Sequence, residues 1–130
     1  MRMGIEWRSY AWISLGAIFG ANLRYILSKT IVRLSTTTFP YGTLVINVSG
    51  SLIVGFFLVW TTERVFANPL WRWLVAIGFC GSYTTFSGYA YETMAYFEQG
   101  HWSLFAANVL SNNLMCLGAI VVGAIIARAI

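Results

Sequence analysis

Asparagine carries most of the polar chemistry inside the apolar stretches of this chain. Asn47 sits in Val45-Ile-Asn-Val-Ser-Gly50, with Ser49 and Ser51 close by. Asn108 and Asn112 are one helical turn apart, and Cys116 continues the same line one turn further on. Asn113 points to another face. An amide offers two N–H donors without a charge. Such donors either bond between helices, at about 1 kcal/mol each, or replace part of the hydration shell of an anion. Arg24 adds five fixed donors and a permanent charge. It is either an interfacial side chain that snorkels to water or an anion attractor at a pathway mouth. Glu92 is a carboxylate inside an apolar run, placed either to pair with Arg24 or to cap a helix break. Phe86 and Tyr89 follow the segment Gly78-Phe-Cys-Gly-Ser-Tyr-Thr-Thr-Phe-Ser-Gly88. Their rings either pack or turn positively polarised edges toward a small anion.

Other site chemistries lack their residues. The single histidine, His101, has no partner at zinc-ligand spacing. There is no HExxH pattern, no phosphate-cradling glycine loop and no histidine placed near a serine for a nucleophilic triad. The sequence therefore reads as a non-enzyme. Cys80 and Cys116 both lie in apolar runs, which argues against a disulfide framework.

Composition says what must position these groups. The chain has 130 residues, 58% hydrophobic and 9% charged, with a mean hydropathy of +0.71. A soluble domain carries roughly 25% charged residues, so this surface faces lipid. A membrane helix needs about 20 apolar residues, which leaves space for four or five spans and none for a soluble catalytic domain. The net charge of +4 is carried by loops and span ends. That suits a juxtamembrane distribution rather than a nucleic-acid footprint, so nucleic acid is not an expected partner.

Four apolar runs are visible, at about 10–34, 41–60, 71–97 and 103–127, forming one transmembrane domain over 1–130. A cleaved N-terminal signal is a minor alternative for the first run. In the third run, three glycines, two serines and two threonines fall within eleven residues. This weakens the helix, leaving either a continuous helix packed through small residues or one broken near 81–85. Gly16/Gly20 and Ser51/Gly55 have the four-residue spacing of close helix contacts and support oligomerisation. Trp7, Trp12, Trp60, Trp71, Trp73 and Trp102 lie near run ends, as in an interfacial belt. Four spans put Arg2, Arg8, Arg64, Arg72 and Arg128 on one side and Lys29 and Arg33 on the other, with Arg24 at the membrane edge. This bias favours cytoplasmic termini but does not enforce one orientation.

The segment Gly78–Ser87 resembles the signature of the small fluoride channel family, Fluc/CrcB. Gly16-Ala-Ile-Phe-Gly-Ala-Asn-Leu-Arg-Tyr25 and Pro40-Tyr-Gly-Thr-Leu-Val-Ile-Asn-Val-Ser-Gly50 are similar to that family's first two helices. The resemblance covers nearly the whole chain. It implies an all-α membrane protein of four transmembrane helices, the third broken near its middle, assembled as an antiparallel dual-topology homodimer in a prokaryotic plasma (inner) membrane. It implies passive export of cytoplasmic fluoride, with Asn47 as a pore ligand, Phe86 as a ring-edge ligand, Thr85 and Ser87 beside the pore, and Arg24 near the vestibule. Gly81 and Thr84 would supply backbone carbonyls to a structural sodium ion, Na+, that is not conducted.

The chain departs from the family pattern in places. Tyr89 stands where a second phenylalanine is usual. Asn108, Asn112 and Cys116 occupy a track usually built of hydroxyls, and Ser82-Tyr83 replaces a more usual Gly-Leu pair. The competing reading is a small proton-coupled four-helix multidrug or cation exporter using Glu92. Exporters of that type carry the essential carboxylate in the first helix, which here has none.

Overall fold

The computed structural model describes residues 7–63 and 68–130. Glu6, Arg2 and Arg64, on which part of the charge count rests, lie outside the described residues. The first two passes are long continuous helices, α1 (Trp7–Leu34) and α2 (Tyr41–Glu63). The third pass starts with the short α3 (Pro69–Trp71), continues through a wider, π-wound segment (Arg72–Cys80), and ends in α4 (Gly81–Tyr83). After an extended Thr84–Thr85 linker, α5 (Phe86–Glu98) completes it. α6 (Trp102–Ala129) is the fourth pass. The result is an all-α membrane fold of four helical passes with the third interrupted. α2 and α6 are each apolar enough to cross a bilayer, with a mean hydropathy of 2.0 over their best window. α1 bears Arg24, Lys29 and Arg33, and the third pass is split, so neither reaches that standard by itself.

The interruption has local causes. Thr84 and Thr85 take extended backbone angles (ψ 156° and 106°). β-Branched residues lose rotamer freedom in a helix, and each threonine has an alternative bond here. The Thr84 hydroxyl donates to the Cys80 carbonyl at 2.9 Å, and the Thr85 hydroxyl accepts the Gly88 N–H at 3.0 Å as the N-cap of α5. Gly81, expected at the break, lies within the helical turn before it (φ −62°, ψ −29°). Asn68 caps α3 by accepting the Leu70 N–H at 3.0 Å, with Pro69 at the first helical position. Gly100 (φ +71°) makes the sharp turn into α6.

Packing relies on backbone approach rather than on large side chains. Gly16 and Gly20 are the buried residues of α1. A Cβ on Gly16 would run into the Leu74 carbonyl, and one on Gly20 into the Phe79 carbonyl. Gly78 returns the contact against Ile13. The Gly16/Gly20 pair, expected to support oligomerisation, is thus occupied inside the subunit, where it seats α1 on the third pass. A second seam joins α2 to α6, with Gly55 against Ile120 and Gly123 against Leu52 and Phe56. At one end of that seam Arg128 pairs with Glu63 at 3.0 Å, so the last residues of α2 and α6 lie on the same side. The two substituted residues before the break bond to neighbouring helices. Ser82 donates to the Ala17 carbonyl of α1 at 3.0 Å, and the Tyr83 hydroxyl lies 2.9 Å from that of Ser49 in α2.

Candidate functional site at the interrupted helix

Asn47 is the centre of the site, because the interruption is bonded to it. Its Oδ1 accepts the Thr85 backbone N–H at 2.8 Å. A backbone N–H can only donate, so this bond fixes which end of the amide is oxygen. The Nδ2 then donates to the Thr85 carbonyl at 3.2 Å and to Asn112 Oδ1 at 3.1 Å. The order propagates: Asn112 Nδ2 donates to Asn108 Oδ1 at 2.8 Å, and Asn108 Nδ2 to the Thr93 hydroxyl at 2.9 Å. Thr93 donates in turn to the Tyr89 carbonyl at 2.7 Å. Apart from the bond that Asn47 Nδ2 returns to the Thr85 carbonyl, these bonds run in the same sense from the linker, through α2 and α6, to α5. Asn47, Asn108 and Asn112 are buried. Buried amides this fully paired hold a defined geometry.

A cavity of about 300 Å³ opens beside this chain. Its walls are Asn47, Ser51 and Val54 from α2, Thr84 of the linker, Phe86 and Tyr89 of α5, and Asn112, Asn113, Cys116, Leu117 and Ile120 of α6. None of these is charged. The structure therefore brings together Asn47, Phe86, Tyr89, Asn112 and Cys116 from the expected site residues. Phe86 is 78% exposed, and its ring meets that of Tyr89 edge-on at 5.4 Å. Cys80 and Cys116 are both free thiols.

Other expected residues stand apart. Asn108 lies behind the cavity wall, fully buried and holding Asn112. Thr85 contributes its backbone and its cap, and Ser87 is exposed with its hydroxyl 3.2 Å from that of Thr85. Arg24, on α1, does not line the cavity. Glu92 bonds neither Arg24 nor the linker: its Oε1 accepts the Thr43 hydroxyl at 2.6 Å, and its Oε2 is buried without a hydrogen-bond partner.

Asn113 was expected to point elsewhere, yet it lines the cavity and donates to the Tyr89 hydroxyl at 3.1 Å. Counting one residue per turn misses it. The α6 wall is two residues wide (112 and 113, 116 and 117, then 120), the stripe that a helix presents to a broad groove. Ser51 was read as a helix-contact residue and Thr84 as a backbone ligand, so their side chains were not expected at the cavity wall, where both lie.

The oxygens proposed for a cation can be tested against this geometry. The helix ends at Tyr83, so its last carbonyls lack intrahelical partners. The Thr85 N–H, which would serve Gly81, is taken by Asn47. The Gly88 N–H, which would serve Thr84, is taken by the Thr85 hydroxyl. Gly81 also faces open space, where an added Cβ would meet nothing within 4 Å. Backbone oxygens without amide partners fit a hard cation. Among the described residues there is no cluster of three or more His, Cys, Asp or Glu.

A four-pass membrane protein with an interrupted third helix and an uncharged, amide-walled cavity at the interruption is the class that these features define. The family model described as "CrcB-like protein, Camphor Resistance (CrcB)" matches residues 11–124. The chain belongs to this CrcB-like family. It is similar to the protein named "Fluoride-specific ion channel FluC" of Koribacter versatilis (strain Ellin345), with 58% identity over 95% of this chain and 98% of the relative. Proteins of the same name from Paramagnetospirillum magneticum (strain ATCC 700264 / AMB-1) and Sulfurihydrogenibium sp. (strain YO3AOP1) are 40% and 39% identical. These matches cover 94% and 92% of this chain and 97% and 96% of the relatives.

Proposed function

We propose that this chain is a fluoride-selective channel of the prokaryotic inner membrane, exporting cytoplasmic fluoride by passive diffusion and so conferring fluoride resistance. The observation that carries this reading is Asn47, a neutral amide in the second turn of α2 that walls the cavity and is bonded to the interrupted helix. Fluoride is small and strongly hydrated, so a pathway must replace its water with fixed donors. Asn47 and Asn112 supply amides, Phe86 and Tyr89 supply ring edges, and Cys116 continues the wall. Thr85 and Ser87 lie at the α5 end, Asn108 holds Asn112 in place, and Arg24 attracts anions toward the entrance. The printed name of the 58%-identical relative, matched over nearly its full length, supports the same substrate. Acid delivers hydrogen fluoride, which dissociates inside the cell, so export needs no coupled energy source.

Two further parts of the reading rest on the subunit's open surfaces. An antiparallel homodimer would cover Phe86 and Gly81, both exposed beside the interruption. The Gly81 and Thr84 carbonyls of both copies would then hold a sodium ion, which when bound supplies fixed positive charge beside the anion path. Efflux of fluoride from proteoliposomes, with chloride as control, tests the function. Fluoride loss with chloride retained is the expected result, and equal passage of both anions would overturn the selectivity.

A further inference from the structure

In this cavity the amide hydrogens of Asn47 are engaged. One goes to the Thr85 carbonyl and one to Asn112 Oδ1. Asn112 is in the same condition, with its Nδ2 donating to both the side-chain and the main-chain oxygen of Asn108 at 2.8 and 3.2 Å. An anion arriving here must break an existing bond before either amide can serve it. Tyr89 differs. Its hydroxyl oxygen accepts from Asn113 Nδ2 at 3.1 Å, and among the described residues its own proton has no acceptor. The sense of that bond is fixed, because Asn113 Nδ2 also donates to the Val109 carbonyl at 2.8 Å. The nitrogen of Asn113, and not its oxygen, therefore faces the phenol.

We infer that the Tyr89 hydroxyl is an anion-binding donor of this cavity and that Asn113 is its positioning residue. The inference rests on the channel reading and deepens it: fluoride would meet an O–H at this position as well as a ring edge. Three features of the geometry converge. Tyr89 and Asn113 both line the cavity with Asn47. The amide of Asn113 occupies the phenol oxygen as acceptor and leaves its proton as the group available to a ligand. An O–H that is already accepting a hydrogen bond is polarised and donates more strongly. The tilted contact between the Phe86 and Tyr89 rings, 62° between planes, fixes the aromatic plane from the other side. A phenylalanine at position 89 would retain this ring contact and lose only the donor.

The test is a double-mutant cycle read as fluoride efflux at sub-saturating fluoride, with chloride as control. Y89F removes one oxygen atom and conserves volume. It is expected to lower fluoride flux about tenfold or more, the scale of one hydrogen bond to a charged partner. N113A is expected to lower flux severalfold in the tyrosine background and to have no further effect in the Y89F background, since it acts through the hydroxyl. Y89F at wild-type flux, or N113A acting equally in both backgrounds, would overturn the proposal. If Y89F does not assemble by size exclusion, N113L in the tyrosine background decides: lowered flux supports the role and unchanged flux overturns it. A wild type that passes both anions equally would overturn the channel reading and this inference together, a result distinct from an inert Y89F in a fluoride-selective wild type.

Discussion

The backbone N–H of Thr85 donates to Asn47 Oδ1 at 2.8 Å, joining the interruption of the third pass to the second turn of α2. The same side chain therefore walls the cavity and holds the linker. The Gly81 carbonyl loses its helical partner by the same bond.

Substituting Asn47 should separate these two roles. N47A removes the amide donors and leaves the Thr85 N–H without its acceptor, a loss of about 1–3 kcal/mol for a buried group. The protein should remain folded, with lower thermal stability in detergent and fluoride flux reduced at least tenfold. N47D retains an acceptor for Thr85, so it should preserve more stability than N47A while placing a carboxylate in the anion path. Wild-type flux in N47A would remove Asn47 from the pathway.

Thr85 is the N-cap of α5. T85A should cost about 1 kcal/mol, and T85S should restore it. Guanidinium or SDS titration of the purified protein would measure both, and an unaffected T85A would mean that the cap bond contributes nothing.

The glycine seams predict a sharp contrast in tolerance. At Gly16, Gly20 and Gly78 an added methyl would press on main-chain atoms of the neighbouring pass, which cannot rotate away. Alanine there should destabilise by about 1–3 kcal/mol or more, the usual effect of overpacking. Gly118 faces open space, so G118A should stay within about 0.5 kcal/mol of the wild type. The yield of monodisperse protein from equal expression gives the ranking.

Glu92 discriminates the channel from a proton-coupled exporter. Its Oε1 is bonded by Thr43, between α2 and α5. The channel reading expects fluoride efflux to persist with no proton gradient imposed, driven by the fluoride gradient alone. The exporter reading, whose cargo is a drug or a cation, expects no fluoride efflux under that condition. E92Q retains an acceptor for Thr43 and should remain folded by size exclusion.

Glu63 and Arg128 form an exposed ion pair. E63Q should change stability by no more than about 1 kcal/mol, as for most surface pairs, and any loss should shrink in high salt.

The apolar runs and their order were legible from composition, because lipid demands long stretches without charge. The helix interruption was legible as weakened propensity at Gly78–Gly88 and was expected near 81–85, where Thr84 and Thr85 make it, but which residues end the helix was not. The threonines end the helix through bonds to Cys80 and Gly88, contacts that spacing alone does not display. Asn47 and Asn112 could be found because an amide in an apolar run is conspicuous, and Cys116 because it continues the Asn112 line one turn further on. Asn113 was passed over because one-turn spacing describes a line, whereas the groove is wider. The partner of Glu92 was misread for another reason. Opposite charge suggested Arg24, but the nearest donor across the packed helices is the hydroxyl of Thr43. The Gly16/Gly20 contact was read correctly as a close approach, and its destination, within the subunit, depends on the tertiary arrangement.

The Thr84–Thr85 linker has an electrical consequence. Peptide dipoles sum to about half a positive charge at a helix N-terminus and half a negative charge at its C-terminus. The helical arm ending at Tyr83 and the start of α5 at Phe86 face each other across these two residues. The carbonyl lip is electronegative and the amide lip electropositive. Opposite polarities are thereby set side by side at the interruption, with no ionised side chain among the residues lining the cavity.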